Sequence, residues 1–309
     1  MADNHTLMPL RIYMAMLLLV VTGCSRWHKA ATPTAAQPAI ASTVPAATDI
    51  LLAIGAGNHL AAVSIYDTDP RVAQLPRCGD YQTTDWELLT RLRPRVMIVQ
   101  VDPSRLPAGF KQRASDLGMG IEDINLNRLS DILSAIDQLG RAASDESAAA
   151  AFRTKLQNQL DAVARRTAAF PKVRTLLAMD DGHSLIGSNT YLNDLLVLAG
   201  GDNVAAALAG PYPSADAELL RALNPEVIIH LLPGANPQVR QAALLRWQHL
   251  PELTAVRTGR IVILDDPWVL MPASHIGDMA EKFAYLLHSR PSTTQSSILP
   301  LRTSGGGKS

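Results

Sequence analysis

The chain has 309 residues, 47% of them apolar, which is enough to bury the cores of two α/β domains. Its 28 basic and 28 acidic residues cancel, and zero net charge argues against a polyanion-binding surface and so against a nucleic-acid partner.

The first legible stretch is the N-terminus. Arg11 precedes an apolar run, Ile12 to Val21, that is too short to span a bilayer. It ends in Val21-Thr22-Gly23-Cys24, which resembles a bacterial lipoprotein signal, with small residues before an obligatory cysteine. That resemblance makes residues 1–24 a signal peptide and Cys24 the lipidated first residue; an ordinary secretory signal is the other reading. Residues 25–38, rich in Ala, Thr, Pro and Gln, read as a tether. Residues 291–309, rich in Ser, Thr and Gly, are predicted to be disordered. With Cys24 lipidated, Cys78 has no partner and no disulfide is available.

Between these ends the chain alternates short apolar runs with helical patterns, the mark of parallel α/β units. In residues 39–143 a strand begins at Ile40, a helix spans about Ala47–Ile54, and a strand covers Leu60–Ile65 before the polar loop Tyr66–Pro70. After the loop Pro76–Thr84 come a helix and strand in 85–99, a helix near Ser104–Leu117, a strand at Ile121–Asn125 and a helix at Leu129–Leu139. From Asp145 to Ala168 there is neither Pro nor Gly, and Phe152, Leu156, Leu160 and Val163 form one apolar stripe. Such a helix is about 35 Å long, the length of a strut over 144–169 joining two lobes, or of a long surface helix. In residues 170–290 follow a strand at Val173–Met179, a helix at Tyr191–Leu198 stopped by Gly200-Gly201, a helix and strand in 216–230, a helix near Pro237, a strand at Arg260–Leu264 and a last helix at Ile276–Leu287.

Two of these stretches are near copies. Asp85-Trp-Glu-Leu-Leu-Thr-Arg-Leu-Arg-Pro-Arg-Val-Met-Ile-Val99 and Asp216-Ala-Glu-Leu-Leu-Arg-Ala-Leu-Asn-Pro-Glu-Val-Ile-Ile-His230 share Asp, Glu, Leu, Leu, Leu, Pro, Val and Ile in register. Each Asp can cap a short helix, each proline follows its end, and a buried strand comes next. Leu88, Leu89 and Leu92, matched by Leu219, Leu220 and Leu223, fall on the inner side; Glu87 and Glu218 fall outside. One Glu near a helix N-terminus is worth only about 0.3–1 kcal/mol of macrodipole energy; a matched pair, one per lobe, leaves a functional role open.

Enzymatic motifs are missing: no GxSxG elbow, P-loop, HExxH, or GxGxxG after a strand, and eight scattered histidines without metal-ligand spacing. Cys78 is a lone loop thiol, and the aspartate pairs 180–181 and 265–266 read as turn and cap residues. No catalytic residue and no metal ligand is assigned. Tyr66, Tyr81, Tyr212 and Trp268 all lie in loops beside strand ends or helix starts, where open α/β sheets bind ligands. Facing lobes would put these rings around one cleft suited to a large amphipathic ligand; the other reading is that each packs under its own loop.

The run Ser42-Thr-Val-Pro-Ala-Ala-Thr-Asp-Ile-Leu-Leu-Ala-Ile-Gly-Ala-Gly57, with Leu75-Pro-Arg-Cys-Gly-Asp-Tyr81, Leu198-Ala-Gly-Gly-Asp-Asn203 and Gly259-Arg260, resembles the ABC-transporter substrate-binding proteins of the helical-backbone class. These serve cobalamin, haem and iron–siderophore uptake, and the match covers about Ile40 to Leu287. The resemblance implies two Rossmann-like α/β lobes joined by one long helix, with a ligand cleft between them. Val63-Ser-Ile-Tyr-Asp-Thr-Asp-Pro70 is similar to the cobalamin-binding members, and the four aromatics fall on their ligand-contacting positions. Glu87 and Glu218 fall on the carboxylates that dock permease arginines. Thr84-Asp-Trp-Glu87 replaces the usual Pro-Asn-Leu-Glu, and Pro272-Ala-Ser-His275 replaces Pro-Gly-Pro-Arg. Losing that Arg disfavours an anionic siderophore, and Asp80 stands where haem-binding members place a tyrosine. The expectation is a monomeric lipoprotein, exported to the periplasm or cell surface of a bacterium and held to a membrane by its lipid. It would pass a corrinoid to an ABC permease without a resident cofactor. A haem or iron–siderophore ligand is the runner-up, with an exported α/β hydrolase or a structural lipoprotein further behind.

Overall fold

The computed structural model describes residues 39–101 and 105–289. The signal peptide, Cys24, the tether and the tail expected from the sequence lie outside these residues. No described helix is long and apolar enough to cross a membrane.

Two mainly parallel sheets organise the chain. The first runs in the order β2-β1-β3-β4, from β1 (Ile40–Ser42), β2 (Leu60–Ala62), β3 (Val96–Val99) and β4 (Gly120–Asp123), all parallel. The second is centred on β5 (Val173–Met179), which pairs in parallel with β8 (Val227–Leu231), itself beside β9 (Ile261–Leu264). The other edge of β5 carries β7 (Gly201–Asn203) in parallel and the two-residue β6 (Ser184–Leu185) antiparallel. Around them lie α1 (Pro45–Ala53), α2 (Trp86–Leu92), α3 (Phe110–Asp116), α4 (Leu129–Ala143), α5 (Glu146–Thr167), α6 (Tyr191–Leu198), α7 (Ala217–Leu223), α8 (Pro237–Gln248), α9 (Thr254–Arg257) and α10 (Ile276–His288).

The two repeats fold alike. Asp85 accepts from the Leu88 N–H at 2.9 Å and Asp216 from the Leu219 N–H at 2.8 Å. Helices α2 and α7 then end on left-handed residues, Arg93 (φ 49°) and Asn224 (φ 39°), just before the prolines. Leu89 and Leu220 are buried while Glu87 and Glu218 are exposed, so the alternation read from the sequence holds in both lobes.

Alternate residues of the central strands feed different cores, because successive side chains point to opposite faces of a sheet. Ile40, Ile98, Val227 and Ile229 join a central cluster with Ile50 of α1, Ile136 of α4, Leu156 and Leu160 of α5, Leu195 of α6 and Phe283 of α10. Ala41, Met97 and Val99 turn outward to a separate cluster with Leu89 and Phe110. Leu176 and Ile228 do the same in the second lobe, with Leu220 and Trp247. The helix from 146 to 167 therefore connects the two sheets along the central core, packed against α4 and α10.

Polar contacts also cross between lobes. Asp49 of α1 accepts from the Ser274 N–H at 2.9 Å. Arg128, at the start of α4, holds Asp194 of α6 with two bonds of 2.8 and 2.6 Å, and the same carboxylate accepts from the Leu129 N–H at 3.0 Å. The helix predicted near Ser104–Leu117 is shorter, Phe110–Asp116, because Gly109 caps it at φ 76° and Pro107 keeps the preceding backbone out of the helical region. Strands β6 and β7 and helix α9 have no counterpart in the sequence reading; two to four residues carry no periodicity.

Candidate functional site

Beyond Ala62 the first sheet continues as an irregular ladder: the Val63 N–H donates to Pro76 O at 3.0 Å and the Ile65 N–H to Gly79 O at 3.3 Å. This brings the Tyr66 loop beside the Tyr81 loop. Gly79 has φ +87°, and a Cβ there would lie 2.0 Å from Thr83 O, so only glycine lets the second loop close. Asp80 braces that loop, accepting from the Thr83 N–H at 2.6 Å and the Gln82 N–H at 2.8 Å. The Thr83 bond, helped by the Tyr66 hydroxyl, holds its carboxyl below the usual range. Tyr66 is 64% exposed. Tyr81 accepts from Gln82 Nε2 at 3.1 Å and lines a cavity of about 140 Å³ with Trp86, Pro107, Phe110 and Arg113. Trp86 meets Phe110 edge-on at 4.9 Å, with Arg113 5.8 Å above its ring.

In the second lobe Tyr212 is held by a short ladder, Leu185 N–H to Pro213 O and Gly187 N–H to Pro211 O, each 2.9 Å. It is 56% exposed. Trp268 follows β9 and is half-buried. Its ring stacks on His275 at 4.7 Å and 20°, and Lys282 Nζ lies 4.8 Å from its centroid. His275 immediately precedes α10 and Lys282 lies on it, so the first half of that helix supplies two of the ring's neighbours. Asp278 accepts from or pairs with His275 Nδ1 at 3.1 Å and raises the imidazole's pKa, against its partial burial.

The loops of Tyr66 and Tyr81 thus lie side by side, while Tyr212 and Trp268 occupy separate loops of the second lobe. The cavity lined by Tyr81 includes none of the other three aromatics. A cavity of about 290 Å³ lies elsewhere, between the end of α5 and α10, lined by Phe170, Tyr285 and His288. The first is small and aromatic beside a predicted site residue; the second is remote from all of them.

Glu87 accepts from Arg91 Nη1 at 2.7 Å across one helical turn, and Glu218 makes no ion pair among the described residues, since Arg221 turns to Glu252. Burial pushes the Cys78 thiol up to about 12, and it contacts Ser42 O and Val63 O, the setting of an inert thiol. Asp181 caps the His183 N–H at 3.0 Å, Asp265 pairs with Arg240, and Asp266 with Lys282. The fully buried His230 accepts from Trp247 Nε1 at 3.2 Å, so its Nε2 carries the proton and donates to Asp180 O at 3.2 Å. No group of three His, Cys, Asp or Glu residues fit for a metal ion occurs among the described residues. His275 and Tyr191 were not assigned from sequence; only the departure at His275 was visible there.

Residues 40–267 match the sequence pattern of the family described as periplasmic binding protein, and the chain belongs to that family. It is 26% identical over 235 residues to the vitamin B12-binding protein of Vibrio parahaemolyticus, covering 75% of this chain and 83% of the relative. Its fold is that of the periplasmic vitamin B12 binding protein BtuF of Vibrio cholerae, at a TM-score of 0.67 and 24% identity, covering 81% of this chain and 96% of the other. It is equally that of the periplasmic heme binding protein HutB of Vibrio cholerae, at 0.70 and 22%, covering 82% and 99%. At these identities the structures share a fold.

Proposed function

We propose that this protein is the substrate-binding lipoprotein of an ABC importer, exported and anchored through Cys24, that captures a corrinoid between its lobes and delivers it to the permease. The observation that carries the ligand class is His275. At the place where the resemblance puts an arginine, its ring is stacked on Trp268 and paired with Asp278. The neighbouring Arg71 is engaged by Asp69 and Asp49, so an anionic chelate would meet no free guanidinium there, whereas an uncharged amphipathic ring system needs only aromatic surface and hydrogen bonds. Asp80, at the place of the haem ligand, is occupied by the N–H groups of its own loop. The vitamin B12-binding relative adds support from sequence.

Tyr66, Tyr81, Tyr212 and Trp268 would contact the ligand, and Glu87 and Glu218 would dock permease arginines, one per lobe. The test is calorimetry and absorbance titration of the protein lacking residues 1–24 with cyanocobalamin, hemin and ferric siderophores in turn. Saturable binding of cyanocobalamin is expected. Binding of hemin or a siderophore in its place would move the protein to another branch of the class; binding of none would remove the reading.

A further inference from the structure

His275 stands where the lobes meet. Its neighbour Ser274 donates its N–H to Asp49 of the first lobe at 2.9 Å, and Asp49 in turn faces Arg71, just past the Tyr66 loop, at 3.7 Å. One face of the imidazole lies on the Trp268 ring, at 4.7 Å and 20°. Its Nδ1 meets the Asp278 carboxylate at 3.1 Å. An ionised carboxylate only accepts, so the neutral ring carries its proton on Nδ1 and its lone pair on Nε2.

Asp278 is itself held. Gln159 of α5 donates to it through Nε2 at 3.2 Å. Gly277 leaves the room for this, since a Cβ there would collide with the Gln159 side-chain amide. Nothing described bonds His275 Nε2. The one buried side-chain polar atom without a partner among the described residues is the Tyr191 hydroxyl, so the unpartnered Nε2 opens to solvent, on a side chain 41% exposed. The ring is thus fixed on one face and at one nitrogen, and its other nitrogen is left open. Ligating histidines are set up in this way: a carboxylate takes the far N–H, and that carboxylate is hydrogen-bonded in turn.

We propose that His275 Nε2 binds the metal of the transported ligand as an axial imidazole, and so selects a corrinoid whose cobalt carries an exchangeable water. The inference rests on the corrinoid reading and adds a contact to the cobalt itself. The Nε2 lone pair forms the cobalt–nitrogen bond, the cobalt–oxygen bond breaks with its electron pair, and water leaves. The cobalt keeps its oxidation state, and Nδ1 keeps its proton toward Asp278. A corrinoid with cyanide on one axial position and its own base on the other offers no such place, and would be held by the aromatic surfaces alone.

Full-length protein, its His275→Phe variant, which keeps a ring on Trp268, and its Asp278→Asn variant are titrated by absorbance with aquacobalamin and with cyanocobalamin. Wild type should move the visible bands of aquacobalamin to those of its imidazole adduct, leave those of cyanocobalamin in place, and bind aquacobalamin more tightly. His275→Phe should lose both the band shift and the preference. Asp278→Asn should keep the shift and bind aquacobalamin about 10- to 100-fold more weakly. Saturable wild-type binding of aquacobalamin with unmoved bands overturns the proposal, whether or not the variants fold. A shift that survives in His275→Phe also overturns it, because another residue would then hold the cobalt. Unchanged aquacobalamin affinity in Asp278→Asn overturns the orienting role of the carboxylate. Failure of wild type to bind either corrinoid sinks the corrinoid reading itself, an outcome distinct from binding without a shift.

Discussion

The contact between Arg128 and Asp194 looks like an ion pair joining two lobes, yet most of its energy should lie elsewhere. Arg128 is 44% exposed and Asp194 17%. An ion pair this wet contributes at most about 1 kcal/mol. The carboxylate also accepts from the N–H of Leu129, the first residue of α4, and so caps that helix from the other lobe. Losing a cap costs about 0.5–2 kcal/mol. Asp194→Ala should therefore cost about 2 kcal/mol, roughly 4–8 °C in melting temperature for a domain of this size. Arg128→Ala, whose removal leaves the cap in place, should cost under about 1 kcal/mol, and Asp194→Asn should fall between them. The measurement is urea unfolding followed by circular dichroism on all three variants. If Arg128→Ala costs as much as Asp194→Ala, the ion pair carries the contact and the capping argument is wrong.

Three further outcomes are expected. Reversing Glu87 and Glu218 to Arg should abolish transporter-dependent uptake in cells while calorimetric ligand affinity stays unchanged; normal uptake would reduce the pair to helix-end electrostatics. Tyr81→Ala should weaken ligand binding by about 1–2 kcal/mol with the melting temperature preserved, whereas Trp268→Ala should lose stability as well, because His275 and Lys282 pack on its ring. Burial lowers the pKa of His230 from 6.5, so the unfolded chain takes up a proton more readily there than the folded one. The stability this contributes is complete above about pH 6.5 and declines as pH falls below it, and a comparison of urea midpoints at pH 7.5 and 5.5 should show a smaller drop in His230→Asn than in wild type.

What the sequence made legible is local. The Asp85 and Asp216 caps, the inward leucines and the outward glutamates follow from three- and four-residue spacing, and the structure keeps all of them. The helix over 146–167 was equally plain from its apolar stripe and the lack of Pro and Gly. What escaped are contacts between residues far apart in the chain. Asp194 capping α4 spans 65 positions, and Asp49 bonding Ser274 spans 225. Trp268 was correctly placed in a loop, but no periodicity could reveal that α10 would bring His275 and Lys282 against it. The orphan hydroxyl of Tyr191 was hidden for the opposite reason: at an apolar helix start, tyrosine reads as one more core ring.

The division of the apolar interior has a consequence for exchange with solvent. Helices α4, α5, α6 and α10 draw on one cluster that includes strands of both sheets, so their amides should be released to deuterium only when the whole molecule unfolds. Helices α2 and α7, the carriers of Glu87 and Glu218, rest through Leu89 and Leu220 on the two smaller outer clusters. Each can open at a fraction of the global free energy. On the docking role proposed for Glu87 and Glu218, the surfaces meeting the permease would be the parts able to reshape on contact, while the interior that aligns the two lobes stays closed.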